Sequence, residues 1–96
     1  MNNDTFFLYD DSETTKVRYV SFVKNHRHDL LVIPTDRYYG KMIIVNLQSN
    51  RTAIIGDDDL KEEGYLEYAF KISEEEAEEL RHFLETLDSN VIPPSD

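Results

Sequence analysis

Apolar residues in this chain fall into six short runs separated by polar, turn-forming clusters, followed by one longer run with a helical period. Phe6 to Tyr9 is aromatic and aliphatic, and Asp10-Asp11-Ser12, whose side chains bond their own backbone in turns, closes it; a first strand is predicted there. Lys16 to Val23 is rich in β-branched and aromatic residues, but its alternation slips, with Val17 and Tyr19 in one phase and Val20 and Phe22 in the other. A strand covered on both faces, or a bulge near Tyr19-Val20, accounts for the slip. Leu30 to Thr35 is a third run. Its Pro34 cannot donate to a ladder, which puts that end at a sheet edge or a strand terminus. Lys41 to Leu47 contains Met42-Ile43-Ile44-Val45 with no polar phase, the pattern of a central strand covered at least partly on both faces. Gln48-Ser49-Asn50 has turn chemistry, so Lys41 to Leu47 and the strand-like Arg51 to Gly56 are expected to pair as a hairpin.

Asp57 to Gly64 follows, with one helical turn expected at Asp58 to Glu62. Leu66, Tyr68, Phe70 and Ile72 then alternate with Tyr65, Glu67, Ala69 and Lys71, which predicts a half-buried sixth strand. At Ser73 the period changes. Ser73 and Glu76 form a capping box that satisfies two orphan amides, and Glu74 to Glu76 place negative charge at the positive end of the helix dipole. Ala77, Leu80, Phe83, Leu84 and Leu87 repeat at three and four residues and make one apolar stripe, with Glu75, Glu78, Glu79, His82 and Glu85 assigned to the solvated face. The helix is expected to end near Asp88 to Asn90, and Val91 to Asp96 reads as a tail.

The connections between runs are too short for parallel crossovers, which need a dozen residues or more. The expected fold is therefore α+β: a twisted antiparallel meander of five to six strands over one C-terminal helix, a single domain spanning residues 1–90 with a tail at 91–96. Each large apolar side chain on the helix stripe contributes about 1.5–3 kcal/mol, against net stabilities of about 5–15 kcal/mol, so losing the helix should unfold the sheet.

Composition narrows the chemistry. The 96 residues suit one small core, and with no cysteine the chain has neither disulfides nor thiolate chemistry. No basic leader followed by an apolar run, and no apolar stretch of membrane-spanning length, is visible; the expectation is a cytoplasmic protein with no membrane partner. The net charge of -10 opposes nucleic-acid binding. That charge is unevenly placed: residues 1–56 hold six acids and seven bases, whereas residues 57–96 hold fourteen acids and three bases. The excess either coats a solvated surface or orients docking onto a basic partner or onto the near-neutral half of another copy.

Three clusters are candidates for chemistry. His26 and His28, with Asp29 beside them, point the same way if extended, as metal-binding pairs do, but need carboxylates from elsewhere, Asp10 or Asp57 being available. Asp57, Asp58 and Asp59, with Glu62 and Glu63, offer oxygen ligands without the order of an EF-hand, and equally suit helix capping and solvent. Asp36, Arg37, Tyr38, Tyr39, Gly40 and Lys41 combine the side chains richest in interface energy, while also suiting a loop in which a tyrosine anchors, Arg37 meets a carboxylate and Gly40 turns. No nucleophile elbow and no phosphate-cradling glycine loop occurs among three glycines.

Taken in order, Phe6-Phe7-Leu8-Tyr9-Asp10-Asp11, Arg18-Tyr19-Val20-Ser21-Phe22, Asp36 to Lys41, Ala53-Ile54-Ile55-Gly56, Gly64-Tyr65-Leu66-Glu67 and Glu74 to Arg81 resemble a family of small acidic proteins of Bacillus-type Firmicutes classed as a domain of unknown function. The resemblance covers most of residues 6–88. It implies a Gram-positive cytoplasmic protein, supplies no activity, cofactor or catalytic residue, and implies a polar segment at residues 26–29 that does not require the histidine pair. The expected function is a non-enzymatic protein-binding or regulatory module without a cofactor, engaging a protein or a second copy as a homodimer through Asp36, Arg37, Tyr38, Tyr39 and Lys41. The alternative is a metal-dependent enzyme or metal-binding protein built on His26, His28 and Asp57 to Asp59. A third reading is mimicry of nucleic acid by the acidic helix.

Overall fold

The computed structural model describes residues 4–38 and 40–90. Among them, four strands pair in chain order: β1 (Arg18–Val23), β2 (Arg27–Pro34), β3 (Met42–Asn46) and β4 (Arg51–Ile55). All neighbours are antiparallel, so the meander and the α+β class are as expected, with four strands where five to six were predicted. The ladder from Arg18↔Val32 to Val23↔Arg27 is unbroken, and no bulge is present at Tyr19-Val20. Pro34 is the last residue of β2, where its missing donor costs nothing. The hairpin of β3 and β4 forms as predicted, from Met42↔Ile55 to Asn46↔Arg51. Asn46 shapes its turn, its side-chain oxygen accepting the Gln48 and Ser49 amides at 3.0 and 3.1 Å, while Asn50 takes the left-handed conformation at φ 60.

The two missing strands fail for different reasons. Phe6 to Tyr9 is irregular and exposed, and it pairs with neither edge strand of the described sheet. Tyr65 to Ile72, expected as the sixth strand, is instead mostly the helix α2 (Tyr65–Phe70), which follows α1 (Asp57–Lys61). Residues spaced by two also contain the helical spacing of four: Leu66 and Phe70 are fully buried together, while Tyr68 between them is 78% exposed. Gly64 before the helix has φ 81 and Lys71 after it has φ 57, a pair of left-handed residues that brackets one short helix.

The last helix, α3 (Glu74–Asn90), begins as predicted. The Ser73 amide donates to Glu76 Oε1 at 2.9 Å and the Glu76 amide to Ser73 Oγ at 3.1 Å. Its buried residues Ala77, Leu80, Leu84 and Leu87 join Leu60 of α1, Leu66 and Phe70 of α2, and Leu30, Val32, Ile44, Ala53 and Ile55 of the sheet in one core. The architecture has two layers, three helices on one face of the sheet. Residues 91–96, expected as a tail, lie outside the described residues.

Candidate functional site

Strand alternation sends every second residue of this sheet away from the helices. On that side lie Leu31 and Ile33 of β2, Ile43 and Val45 of β3, and Ile54 of β4, with Tyr19 of β1 79% exposed at the edge. Register places Tyr19, Leu31, Val45 and Thr52 in one row and Ile33, Ile43 and Ile54 in the next. The aliphatic residues are half-buried, and they stand apart from the core that the helices cover. The partial coverage expected on both faces of Met42 to Val45 is unequal: β3 is central, with Ile44 buried beneath the helices and Ile43 and Val45 half-buried on a face that no helix covers.

The N-terminal arm adds a second apolar feature. Phe6, Phe7, Leu8 and Tyr9 are 84, 76, 94 and 65% exposed. The arm leaves the body beside the end of β2, where Thr15 Oγ1 donates to the Pro34 carbonyl at 2.9 Å, the Asp36 amide donates to Glu13 at 3.1 Å and Thr35 Oγ1 donates to the same carboxylate. The Thr35 and Asp36 bonds hold the Glu13 carboxyl below its ordinary range. Arg37 lies over the Tyr9 ring at 4.2 Å and within 3.9 Å of an Asp11 oxygen. Asp36, Arg37 and Tyr38 are exposed, and Gly40 has φ 71, a conformation only glycine adopts without strain. Lys41 instead turns inward to Asp59 at 3.2 Å, and Tyr39 lies outside the described residues.

A different constellation lies on the helix side. His28 of β2 is 4% exposed and its Nε2 donates to Glu79 Oε1 at 2.9 Å; Glu79, assigned by its helical position to the solvated face, is 7% exposed. His26 Nδ1 meets Glu79 Oε2 at 3.1 Å, and the amides of His26 and Asn25 reach the same carboxylate at 3.2 and 3.3 Å. Burial pushes the Glu79 carboxyl up, but the bonds from His28, His26 and the two amides outweigh it and bring the carboxyl down to about 2. The Glu79 bond raises His26 against the effect of its own desolvation, helped by the charges of Glu79, Glu75 and Glu76. Phe22 stacks on His28 with ring centroids 4.6 Å apart, which fixes the imidazole plane.

His26 and His28 do face the same way, as predicted, but their carboxylate is Glu79 rather than Asp10 or Asp57. Asp57 to Asp59 follow the Ile55 end of β4, and the rest of β2, about 20 Å of strand, separates that end from His28. Asp59 there accepts the Gly56 amide at 2.8 Å and caps α1. The sequence signal for Glu79 was its place beside Leu80 on the border of the apolar stripe, four residues before Phe83. Among the described residues no helix is long and apolar enough to cross a membrane.

No curated protein matches this chain. The family model described as SAV0927-like matches residues 8–86, a span that takes in the sheet, α1, α2, most of α3 and every member of the His26–His28–Glu79 cluster. That family is small and carries no assigned activity. The chain belongs to the SAV0927-like family.

Proposed function

We propose that this protein is a self-associating protein-binding module, in which the arm around Phe6 to Tyr9 of one copy lies across the open sheet face of another. The observation that carries this reading is the coexistence, in one chain, of an exposed apolar arm and an uncovered aliphatic sheet face that do not pack on each other. Isolated exposed apolar residues are ordinary, but a contiguous sheet face of this kind marks an interaction surface. Charge selects the partner. Residues 57–96, within which the three helices lie, carry all the negative excess and repel their like, whereas residues 1–56, which hold the sheet and arm, are close to neutral. A two-fold pair joined through the sheets keeps both acidic layers outermost.

Size agrees with this. Side chains of the Phe and Tyr class bury on the order of 150–250 Å² each, so two exchanged arms account for about 1,000 Å² or more, the scale of a specific interface. Asp36, Arg37 and Tyr38 then act at the root of the arm, with Arg37 on Tyr9 setting the direction in which it leaves. Light scattering coupled to gel filtration tests this. The wild-type chain is expected as a dimer, and both a Phe6→Ser/Phe7→Ser/Leu8→Ser arm variant and Ile43→Lys as folded monomers. A monomeric wild type at about 100 μM, or an arm variant that stays dimeric, overturns the assignment.

A further inference from the structure

We propose that His26, Glu75 and Glu79 form a binding site for a divalent transition-metal ion of the zinc type, where the turn between β1 and β2 meets the first turns of α3. One ligand atom from each of the three residues lies within 4.8 Å of the others. Around a tetrahedral zinc with ligands at 2.0–2.1 Å, ligand atoms are about 3.3 Å apart, and His26 Nδ1 and Glu79 Oε2 are already at 3.1 Å. Glu75 and Glu79 are four residues apart and so share one face of α3. Glu75 is exposed and accepts from Asn25 Nδ2 at 3.3 Å, and a side-chain rotation brings its carboxylate onto the ion.

The surrounding groups match what a metal site needs. His28, nine-tenths buried, and the His26 amide donate to Glu79 Oε1, the oxygen away from the ion, so the principal ligand is oriented as outer-shell partners orient metal carboxylates, while the Asn25 amide donates to Oε2. The ion takes the place of the proton between His26 Nδ1 and Glu79 Oε2, and that proton leaves to solvent. His26 is one-third exposed, which leaves the remaining coordination position open to water. One imidazole nitrogen with two carboxylates favours zinc over magnesium or calcium, which take oxygen ligands only. Bound there, the ion ties the hairpin of the edge strand β1 to α3, independently of the open face on the other side of the sheet.

Calorimetric titration of the chelator-treated full chain with zinc chloride, paired with thermal melts, tests the site. One zinc per chain and a raised midpoint are expected, with no response to magnesium or calcium at the same concentration. Glu75→Gln alters a surface residue outside the core and is expected to fold as wild type while binding zinc at least about tenfold more weakly; His26→Gln is expected to behave likewise, and Asp58→Asn to bind as wild type. Absence of zinc binding by the wild type, undiminished binding by Glu75→Gln or His26→Gln, or an equal response to magnesium overturns the proposal.

Discussion

The two faces of the sheet are made from neighbouring residues of the same strands, yet they meet different fates. Leu30, Val32, Ile44, Ala53 and Ile55 are at most 8% exposed beneath the helices, while Leu31, Ile33, Ile43, Val45 and Ile54, one position away, keep part of their surface in water. Composition hardly separates the two sets, since both are aliphatic. What separates them is that α1, α2 and α3 all return to the same side, so one layer of helices is spent on one face. An apolar strand such as Met42-Ile43-Ile44-Val45 therefore does not imply two covering layers within its own chain. Its second face leaves aliphatic surface in water, and the proposed self-association rests on that surface.

The widest separation between the faces is expected in stability. Phe70→Ala opens a cavity in the covered core and should cost about 3–5 kcal/mol, enough to unfold much of a domain this small. Ile43→Ala removes a half-buried side chain from the open face and should cost the dilute, monomeric chain only about 1 kcal/mol. Urea denaturation at low micromolar concentration compares them, and equal losses would show that the open face is core after all.

Acidity should probe the faces next, since each has a tie that titrates: Glu79 between two histidines on the helix side, and on the open side Asp29, whose carboxyl Ser21 and Arg27 hold below its ordinary range. Glu79 has its carboxyl lowered to about 2 from an ordinary 4.5, so its contribution is present above the ordinary value and lost as pH falls through the folded one. His26 is raised from 6.5, so its contribution is full below that value and lost as pH rises through the folded one. Between those limits the metal-free protein should melt highest. Glu79→Gln should flatten the acid limb in thermal melts across pH, and an unchanged limb would remove Glu79 as its source.

The smallest effect concerns how the covering layer starts. Ser73→Ala deletes half of the capping box of α3 and should cost about 1 kcal/mol, read as a small drop in midpoint with no change in association state. A drop as large as that of Phe70→Ala would mean that Ser73 supports packing beyond its cap.

Much of this arrangement was legible in residue order. The hairpin of β3 and β4, the end of β2 at Pro34, the Ser73–Glu76 cap and the stripe from Ala77 to Leu87 follow from local chemistry, and the structure has each of them. The histidine pair was legible as far as its shared face. Its carboxylate was not, because Glu79 looks like any other acid on a helix rich in glutamate until α3 is laid beside the turn at Asn25 and His26. Tyr65 to Ile72 misled for a related reason: alternation and the i, i+4 spacing of Leu66 and Phe70 coexist in the same eight residues.

Local sequence thus determined which backbone groups would be capped, where strands would turn and which residues preferred to leave water, since those depend on neighbours a few positions away. Tertiary structure decided that α2 is a helix, that three helices crowd one face of the sheet, that Phe6 to Tyr9 stays unpaired and that Glu79 is enclosed by two histidines. Those outcomes depend on which distant surfaces meet, and burial is a property of the meeting rather than of the residue.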